Sequence, residues 1–155
     1  MIKTLRFIAL ILAALAMGMH FAHALELPAK LQWEPDLYLA VQTSLYGLFG
    51  TLGPVIEIGA LIAVSILAYV VRQRRPAFPL TIVSVSMIVL ALIVWFAIVL
   101  PANRQINLWL TTEALFPDWT RWRDQWQYGQ SAIFVLHLIG FSALVGSVTM
   151  ETTDG

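Results

Sequence analysis

GMHFAHALELPAK, residues 18–30, decides whether this chain folds with three or with four long helices. Lys3 and Arg6 precede an apolar run that ends in Ala-His-Ala at 22–24, which is the layout of a secretory signal peptide and its cleavage site. As a signal peptide, the segment would be removed during export. As a retained helix, it would carry two histidines and a glutamate at one end of a membrane span.

Composition places the chain among integral membrane proteins. Of its 155 residues 59% are hydrophobic and 12% are charged, against about 25% charged residues in soluble domains. Nine basic residues balance nine acidic ones, and no basic cluster is interleaved with aromatic residues, which argues against nucleic acid as a partner. The absence of cysteine excludes disulfides, thiolate metal sites and thiol redox chemistry.

Four long segments carry almost no charge. About 30 Å of hydrocarbon, crossed at about 1.5 Å per residue, requires about 20 such residues. The predicted spans are about 5–26, 38–72, 78–100 and 129–150. The second is too long for one perpendicular span, and its Gly-Thr-Leu-Gly-Pro stretch predicts a kink or a break at 50–54.

The predicted fold class is all-α. We expect one membrane-embedded antiparallel four-helix bundle, a single domain over 1–155, with a kinked second helix. The long connection between the third and fourth spans, 101–130, is predicted to be helical and to lie on the outer side, at the membrane interface. A connection of that length exceeds what joining two neighbouring helices requires.

The basic turn RQRRP at 72–76 predicts the orientation of the bundle. The positive-inside rule places this turn in the cytoplasm with Lys3 and Arg6, so both termini are expected there, in a bacterial inner membrane. Five of the six tryptophans lie in the two outer connections, where amphipathic rings favour the headgroup region. They are Trp33, Trp109, Trp119, Trp122 and Trp126.

The first span has a stripe of small residues that argues for its retention. Ala9, Ala13, Ala16, His20 and His23 follow a 4,3,4,3 spacing and therefore share one helix face. Small residues on a stripe are what close packing between transmembrane helices requires, whereas a cleaved segment has no need of them. We therefore predict that the segment is kept as a transmembrane helix and is not cleaved as a signal peptide.

Ionisable residues inside predicted spans are costly and usually serve a function with a partner. Glu57 and His137 are two such residues, and depths estimated from the helical rise let them converge with His20 and Asn103 in the outer half of the bundle. We predict that Glu57 pairs with His137 or with His20.

Five blocks resemble the anthrone-oxygenase-like family of small four-helix integral membrane proteins. They are FAHALELPAK, LAVQTSLYGLFGTLGPVIEIGAL, RRPAF, PANRQINLW and DWTRWRDQWQYG, and they cover nearly the whole chain in the family's order and spacing. The resemblance implies the four-helix fold and a retained first helix. Most bacterial members have no assigned reaction, while fungal members are associated with oxidation of anthrones to anthraquinones without a recognised cofactor.

The resemblance also implies which residues form the polar motifs. The chain departs from the family pattern at Gln130, where the family typically has a histidine, and glutamine cannot act as a base. The matching positions are His23, Glu26, Glu57, Asn103, Trp119, Arg123 and Trp126.

Two classes of function remain open from the sequence. The first is an oxidoreductase or oxygenase acting on a lipophilic aromatic or quinol-like substrate, which requires a base, a donor to the enolate oxygen and an apolar slot. The second is a non-catalytic binding or accessory membrane protein whose buried polar residues serve helix association. For the first, the catalytic candidates are Glu57 and His137 as base and Asn103 and Arg123 as donor, and the substrate-binding candidates are Trp119, Trp122, Trp126, Gln130 and Tyr46.

Metal binding is a variant of the first class. His20, His23, Glu57 and His137 offer imidazole and carboxylate ligands, which suit iron, copper or zinc. The resemblance requires no cofactor, so the cofactor is left open. The expected partners are the lipid bilayer and a lipophilic small molecule.

Overall fold

The computed structural model describes residues 2–112 and 117–151. Within these ranges the chain is α-helical apart from short turns and one π-helical segment, and no strand occurs, so the all-α prediction is confirmed. The elements are α1 (Ile2–Lys30), α2 (Pro35–Leu45), α3 (Gly47–Val70), α4 (Ala77–Val94), the π-helical segment (Trp95–Val99), α5 (Leu100–Thr112) and α6 (Trp119–Glu151).

Four helices are long and apolar enough to cross a membrane. They are α1, α3, the continuous helix Ala77–Thr112 and α6. Helix α1 packs against α3 and α6, and α4 packs against the same two helices, so the four form a closed ring in chain order. Short connections between consecutive helices make neighbours antiparallel. The protein is an integral membrane protein built as a helical bundle.

Small side chains face the interior of this bundle and large apolar ones face outward. In α1 the alanines at 9, 13 and 16 are buried together with His20 and His23, as the 4,3,4,3 spacing predicts. Phe7, Ile11 and Leu15 on the opposite face are exposed. This inverted pattern suits a lipid environment, because helix association there depends on close packing and not on burying apolar surface from water.

The second predicted span, 38–72, is two helices in the structure. The chain leaves the helical path at Tyr46, where φ is −96° and ψ is 5°, and not at 50–54. Pro54 lies inside α3. Pro54 is the eighth residue of α3 and has no N–H to donate to Gly50 O, so it removes one backbone hydrogen bond without ending the helix. Only α3 of this pair is long enough to span a membrane.

The third long helix continues past 100, where the sequence predicted the span to end. Pro101 would crowd the carbonyl of Ala97 in a regular α-helix. The chain widens into the π-helical segment immediately before it, and the Leu100 N–H donates to Trp95 O. Gln125 of α6 donates its Nε2 to Ile98 O over 2.9 Å, which pairs a carbonyl in this widened turn.

Candidate functional site

A cavity of about 710 Å³ opens inside the bundle, in the half away from the 72–76 turn. All four long helices contribute to its wall, together with α2 and α5. This volume is within the range that holds drug-sized ligands. Eight of the residues predicted from the sequence line it: His20, His23, Tyr46, Glu57, Asn103, Trp126, Gln130 and His137.

Two histidines converge on one carboxylate oxygen at the wall of the cavity. His20 Nε2 lies 2.9 Å from Glu57 Oε1, and His137 Nε2 lies 3.0 Å from the same atom. The two imidazole rings stack, with centroids 5.2 Å apart and planes 7° apart. Glu57 therefore contacts both of its predicted partners at once. Helix α1 is the neighbour of α3 in the ring, and α6 lies across the interior of the bundle from α3.

Gln130 fixes the orientation of the His20 ring. His20 Nδ1 lies 2.7 Å from Gln130 Oε1, and an amide oxygen only accepts, so Nδ1 carries a proton and donates it. The other ring nitrogen, Nε2, then faces a carboxylate oxygen. In addition to the proton on Nδ1, a second proton or a cation between Nε2 and Oε1 is needed to make their 2.9 Å separation favourable. We call His20, Glu57, Gln130 and His137 the Glu57 cluster.

Two polar atoms of the Glu57 cluster are buried without a hydrogen-bond partner. Glu57 Oε2 has none, and His137 Nε2 is close to Oε1 but is not aligned to donate to it. The side chains are well enclosed, since Glu57 is 9% and His137 3% exposed. Buried polar atoms are nearly always paired in proteins, so a water molecule or a ligand is expected to pair with these two.

A second polar group lies nearer the end of α1 and ties α1 to the break between α2 and α3. Lys30 Nζ is 2.7 Å from Glu26 Oε2 and donates to Tyr46 OH over 2.5 Å, while Tyr46 OH donates to Glu26. Burial and the neighbouring Glu26 carboxylate raise the pKa of Tyr46 well above its usual value. Tyr46 thus stays a neutral hydrogen-bond donor, and we call these three residues the Glu26 cluster.

His23 belongs to an aromatic environment next to the Glu26 cluster. Its ring centroid lies 4.7 Å from that of Tyr46, 4.9 Å from Trp126 and 5.2 Å from Phe49. Its Nδ1 is 3.6 Å from Glu26 Oε2. In the part of the chain that the structure describes, the side chains whose ligand atoms are close enough to share a metal ion are His20, Glu57 and His137, and the predicted fourth ligand, His23, is not among them. His23 lies about one helical turn after His20 on α1, which places its ring beside the Glu26 cluster and away from Glu57.

Asn103 has its amide orientation set by Trp126. The indole Nε1–H, which can only donate, gives its hydrogen to Asn103 Oδ1 over 2.7 Å. This bond assigns oxygen and nitrogen in the amide and leaves the Nδ2 hydrogens of Asn103 for other acceptors. Asn103 lines the cavity, so it can present a donor to a bound molecule.

Three predicted site residues lie away from the cavity. Arg123 pairs with Asp124 through Nε at 2.8 Å, and its guanidinium carbon sits 4.9 Å from the centre of the Trp119 ring. Trp119 and Trp122 line a separate small pocket against α2 and α5. These residues lie on the same face of α6 as Trp126. The first turn of α6 packs against α2 and α5, whereas the cavity begins at Trp126, two turns further along the helix. Arg123 is therefore not placed to donate to a ligand in the cavity.

The structure adds two polar residues that sequence reasoning did not select. Lys30 is completely buried, and its spacing four residues after Glu26 on one helix was the available signal. Asn107 lines the cavity one turn after Asn103. Asn107 reaches the cavity because the third long helix continues past residue 100. The sequence predicted that this span would end there.

The site defines a class of protein: an integral membrane helical bundle with a buried cavity and a carboxylate between two imidazoles at its wall. Comparison of the chain with family models, with characterised proteins and with solved structures gives no match.

Proposed function

We propose that the protein is a membrane-embedded oxidoreductase that oxidises a lipophilic aromatic or quinol-like substrate in the cavity. The observation that carries this proposal is the state of Glu57. Its Oε1 lies within 3.0 Å of a nitrogen of each imidazole, and its Oε2 is buried without a hydrogen-bond partner in a residue that lines the cavity. A carboxylate with one oxygen fixed and the other unoccupied is arranged to accept a proton from a bound molecule.

The substrate chemistry that suits this base is a carbon acid of the anthrone type. A C–H bond between two aromatic rings loses its proton to Glu57 Oε2, and the electron pair moves onto the substrate's ketone oxygen as an enolate. The Asn103 Nδ2 hydrogens are the donors available to that oxygen. The carbanion reduces dioxygen directly and forms a C–O bond. The resulting hydroperoxide loses water, so substrate and dioxygen become a quinone and water.

The walls of the cavity support a lipophilic substrate. Apart from the polar residues already described, they consist largely of apolar and aromatic side chains, among them Met19, Phe49, Leu92 and Trp95. Flat aromatic molecules gain binding free energy in such a cleft, and a few polar groups set their orientation. Partitioning into the bilayer would concentrate this type of substrate around the protein.

The resemblance to the anthrone-oxygenase-like family is part of the same proposal. Gln130 cannot replace a histidine as a base, but it orients His20 by accepting from Nδ1. In this proposal Glu57 is the base and Gln130 is a positioning residue, so the departure from the family pattern does not remove the proton acceptor.

We further infer that the bundle lies in a bacterial inner membrane with both termini in the cytoplasm. The 72–76 turn, with its three arginines, supports this orientation. The cavity then opens in the outer half of the membrane. The first helix is retained in this proposal, because His20 supplies one of the two imidazoles on Glu57.

The test is turnover by the purified protein in lipid nanodiscs, with anthrone and a short-chain quinol as separate substrates. Quinone formation is followed by absorbance and matched to oxygen uptake. We expect Glu57→Gln to lower kcat by about 10²- to 10⁴-fold, because the amide cannot accept the proton. Glu34→Gln makes the same chemical change at an exposed position and should keep full turnover. Equal rates for wild type and Glu57→Gln with both substrates would reject the assignment.

A non-catalytic role in membrane binding or helix association is the second candidate. Hydrogen bonds between helices favour it: Thr81 Oγ1 and Ser147 Oγ are 3.0 Å apart between α4 and α6, and the Glu57 cluster joins three helices. In this case Glu57→Gln should change the unfolding free energy of the bundle, and neither probe substrate should be turned over by the wild-type protein.

A further inference from the structure

We propose that His20, Glu57 and His137 form a binding site for a divalent first-row transition metal ion, with Fe²⁺ the best match. The inference goes beyond the proposed oxidation, because it concerns what the Glu57 cluster binds when no substrate is present. It is carried by the positions of three ligand atoms, by two unpaired polar atoms and by the orientation of His20.

The three ligand atoms have the spacing of a metal centre. They are His20 Nε2, His137 Nε2 and Glu57 Oε1, and all lie within 4.8 Å of one another. Neighbouring ligands at about 2.1 Å from one ion are about 3 Å apart, which matches the two nitrogen-to-oxygen distances of 2.9 and 3.0 Å. The two rings are 7° from parallel, so at least one of them would also turn about its side-chain bonds to direct its Nε2 lone pair at a shared ion.

The hydrogen-bond pattern directs electron-rich atoms of the Glu57 cluster toward one another. His20 donates from Nδ1 to Gln130, so a neutral His20 directs the lone pair of Nε2 at a carboxylate oxygen. His137 Nε2 also approaches that oxygen without donating to it. With His137 in the tautomer that leaves Nε2 unprotonated, two nitrogen lone pairs and a carboxylate would repel one another in this enclosed space, and a divalent cation among them would convert the repulsion into coordination.

Gln130 supplies the outer contact that metal-bound histidines commonly make. A ligating imidazole usually donates its other N–H to a carbonyl or carboxylate, which fixes the tautomer and the direction of the ring. The His20 Nδ1 to Gln130 Oε1 distance of 2.7 Å is this contact. Gln130 is 5% exposed, so solvent competes little for the bond.

The ligand set indicates the class of metal. Two imidazoles and one carboxylate are the donors of the two-histidine, one-carboxylate centres that hold non-haem Fe²⁺ and leave coordination positions open. The cavity borders all three residues, so those open positions would face a bound molecule. Coordination through Oε1 leaves Glu57 Oε2 without a metal bond but makes the carboxylate a weaker base, so turnover by metal-stripped protein is the measurement that separates the two roles.

The experiment is metal binding by the full chain in lipid nanodiscs, without substrate. Protein stripped with a chelator is titrated with Co²⁺ as an optical probe and with Fe²⁺ under anaerobic conditions, and bound metal is counted by elemental analysis. We expect one Co²⁺ per chain with visible d–d bands. Glu57→Gln and His137→Ala should abolish saturable binding at one equivalent, and Gln130→Ala should weaken it by about 10- to 100-fold.

His23→Ala is the matched control, because it removes a buried histidine three residues after His20 that lies outside the ligand group. It should bind Co²⁺ like the wild type. Absence of stoichiometric binding by the wild-type protein would overturn the proposal, and so would equal loss of binding in His23→Ala and His137→Ala. If Glu57→Gln or His137→Ala does not fold, the proposal is still tested by the metal stoichiometry of the wild type and by the affinity of Gln130→Ala. Turnover of anthrone by metal-stripped protein would leave the proposed oxidation standing even when metal binding fails.

Discussion

Replacing Asn103 with alanine tests whether one amide both anchors Trp126 and donates to a substrate oxygen. Trp126 Nε1 donates to Asn103 Oδ1 over 2.7 Å, and the Trp126 side chain is 4% exposed. The substitution removes the acceptor and leaves the indole N–H to find another partner. It also removes the Nδ2 donors from the cavity wall.

The size of each effect follows from these contacts. An unsatisfied buried donor costs about 1–3 kcal/mol, whereas hydrogen bonds between transmembrane helices average about 0.6 kcal/mol. Asn103 is half-buried, so solvent can replace part of the lost bond, and we expect the unfolding free energy to fall by about 1 kcal/mol. Loss of one donor to a developing oxyanion lowers kcat by about 10²- to 10³-fold.

Two measurements separate the roles. The unfolding free energy is obtained by denaturant titration in mixed micelles, followed by circular dichroism, and kcat is measured on the anthrone probe in nanodiscs. Trp126→Phe removes the indole donor but keeps the amide, so it should lower stability by a similar amount and kcat by less. Asn107→Ala is the control for stability, since it makes the same change one turn along the helix and should stay within about 0.5 kcal/mol.

Either of two results would contradict the two roles assigned to Asn103. An unchanged kcat in Asn103→Ala would show that the amide does not serve the reaction. A kcat loss in Trp126→Phe as large as in Asn103→Ala, at equal stability, would show that the tryptophan ring and not the amide is the group the reaction needs.

Four further predictions concern stability and use the same titration. Gly129→Ala should lower the unfolding free energy by about 1–3 kcal/mol, because a Cβ there would lie 2.8 Å from a valine side chain of the π-helical segment. Gly18→Ala should raise it by up to about 1 kcal/mol, since nothing lies within 4 Å of that position. Tyr46→Phe should cost about 1–3 kcal/mol by leaving the buried Lys30 with one partner fewer. A double-mutant cycle of Thr81→Val and Ser147→Ala should give a coupling energy of about 0.6 kcal/mol.

Each of these predictions has a contrary outcome. Equal stability of Gly129→Ala and Gly18→Ala would mean that α6 does not pack closely on the π-helical segment. An unchanged Tyr46→Phe would mean that the Glu26 cluster does not hold α1 to the start of α3. Coupling indistinguishable from zero in the cycle would show that the hydroxyl contact between α4 and α6 is not formed.

Much of the helical framework could be predicted from sequence because hydropathy and helical periodicity are local properties of the chain. The stripe of Ala9, Ala13 and Ala16 with the two histidines was predicted to face other helices, and it does. The break near 50–54 was predicted from a glycine and proline pattern but lies at Tyr46. Helix α3 continues through Pro54 at the loss of one backbone hydrogen bond, so a proline by itself does not show where a helix begins or ends.

The sequence indicated several of the ionisable residues that belong to the site, but it did not determine which histidines contact Glu57. Glu57 and His137 stand out in the sequence because ionisable residues are rare in apolar spans. Which of the three histidines reaches Glu57 depends on how α1 is rotated and how deep it sits against α3 and α6. A difference of one helical turn separates His20, beside Glu57, from His23, among aromatic rings.

Composition and residue spacing are enough to predict apolar membrane helices that carry a few ionisable residues, because both are local properties of the chain. Three features of the site become visible only in the folded bundle: two imidazoles share Glu57 Oε1, Gln130 orients one of them, and Arg123 lies outside the cavity. These facts depend on the rotation and relative height of helices distant in the chain, which local pattern does not specify. The same packing leaves Glu57 Oε2 unpaired at the cavity wall, and that atom is where the proposed chemistry begins.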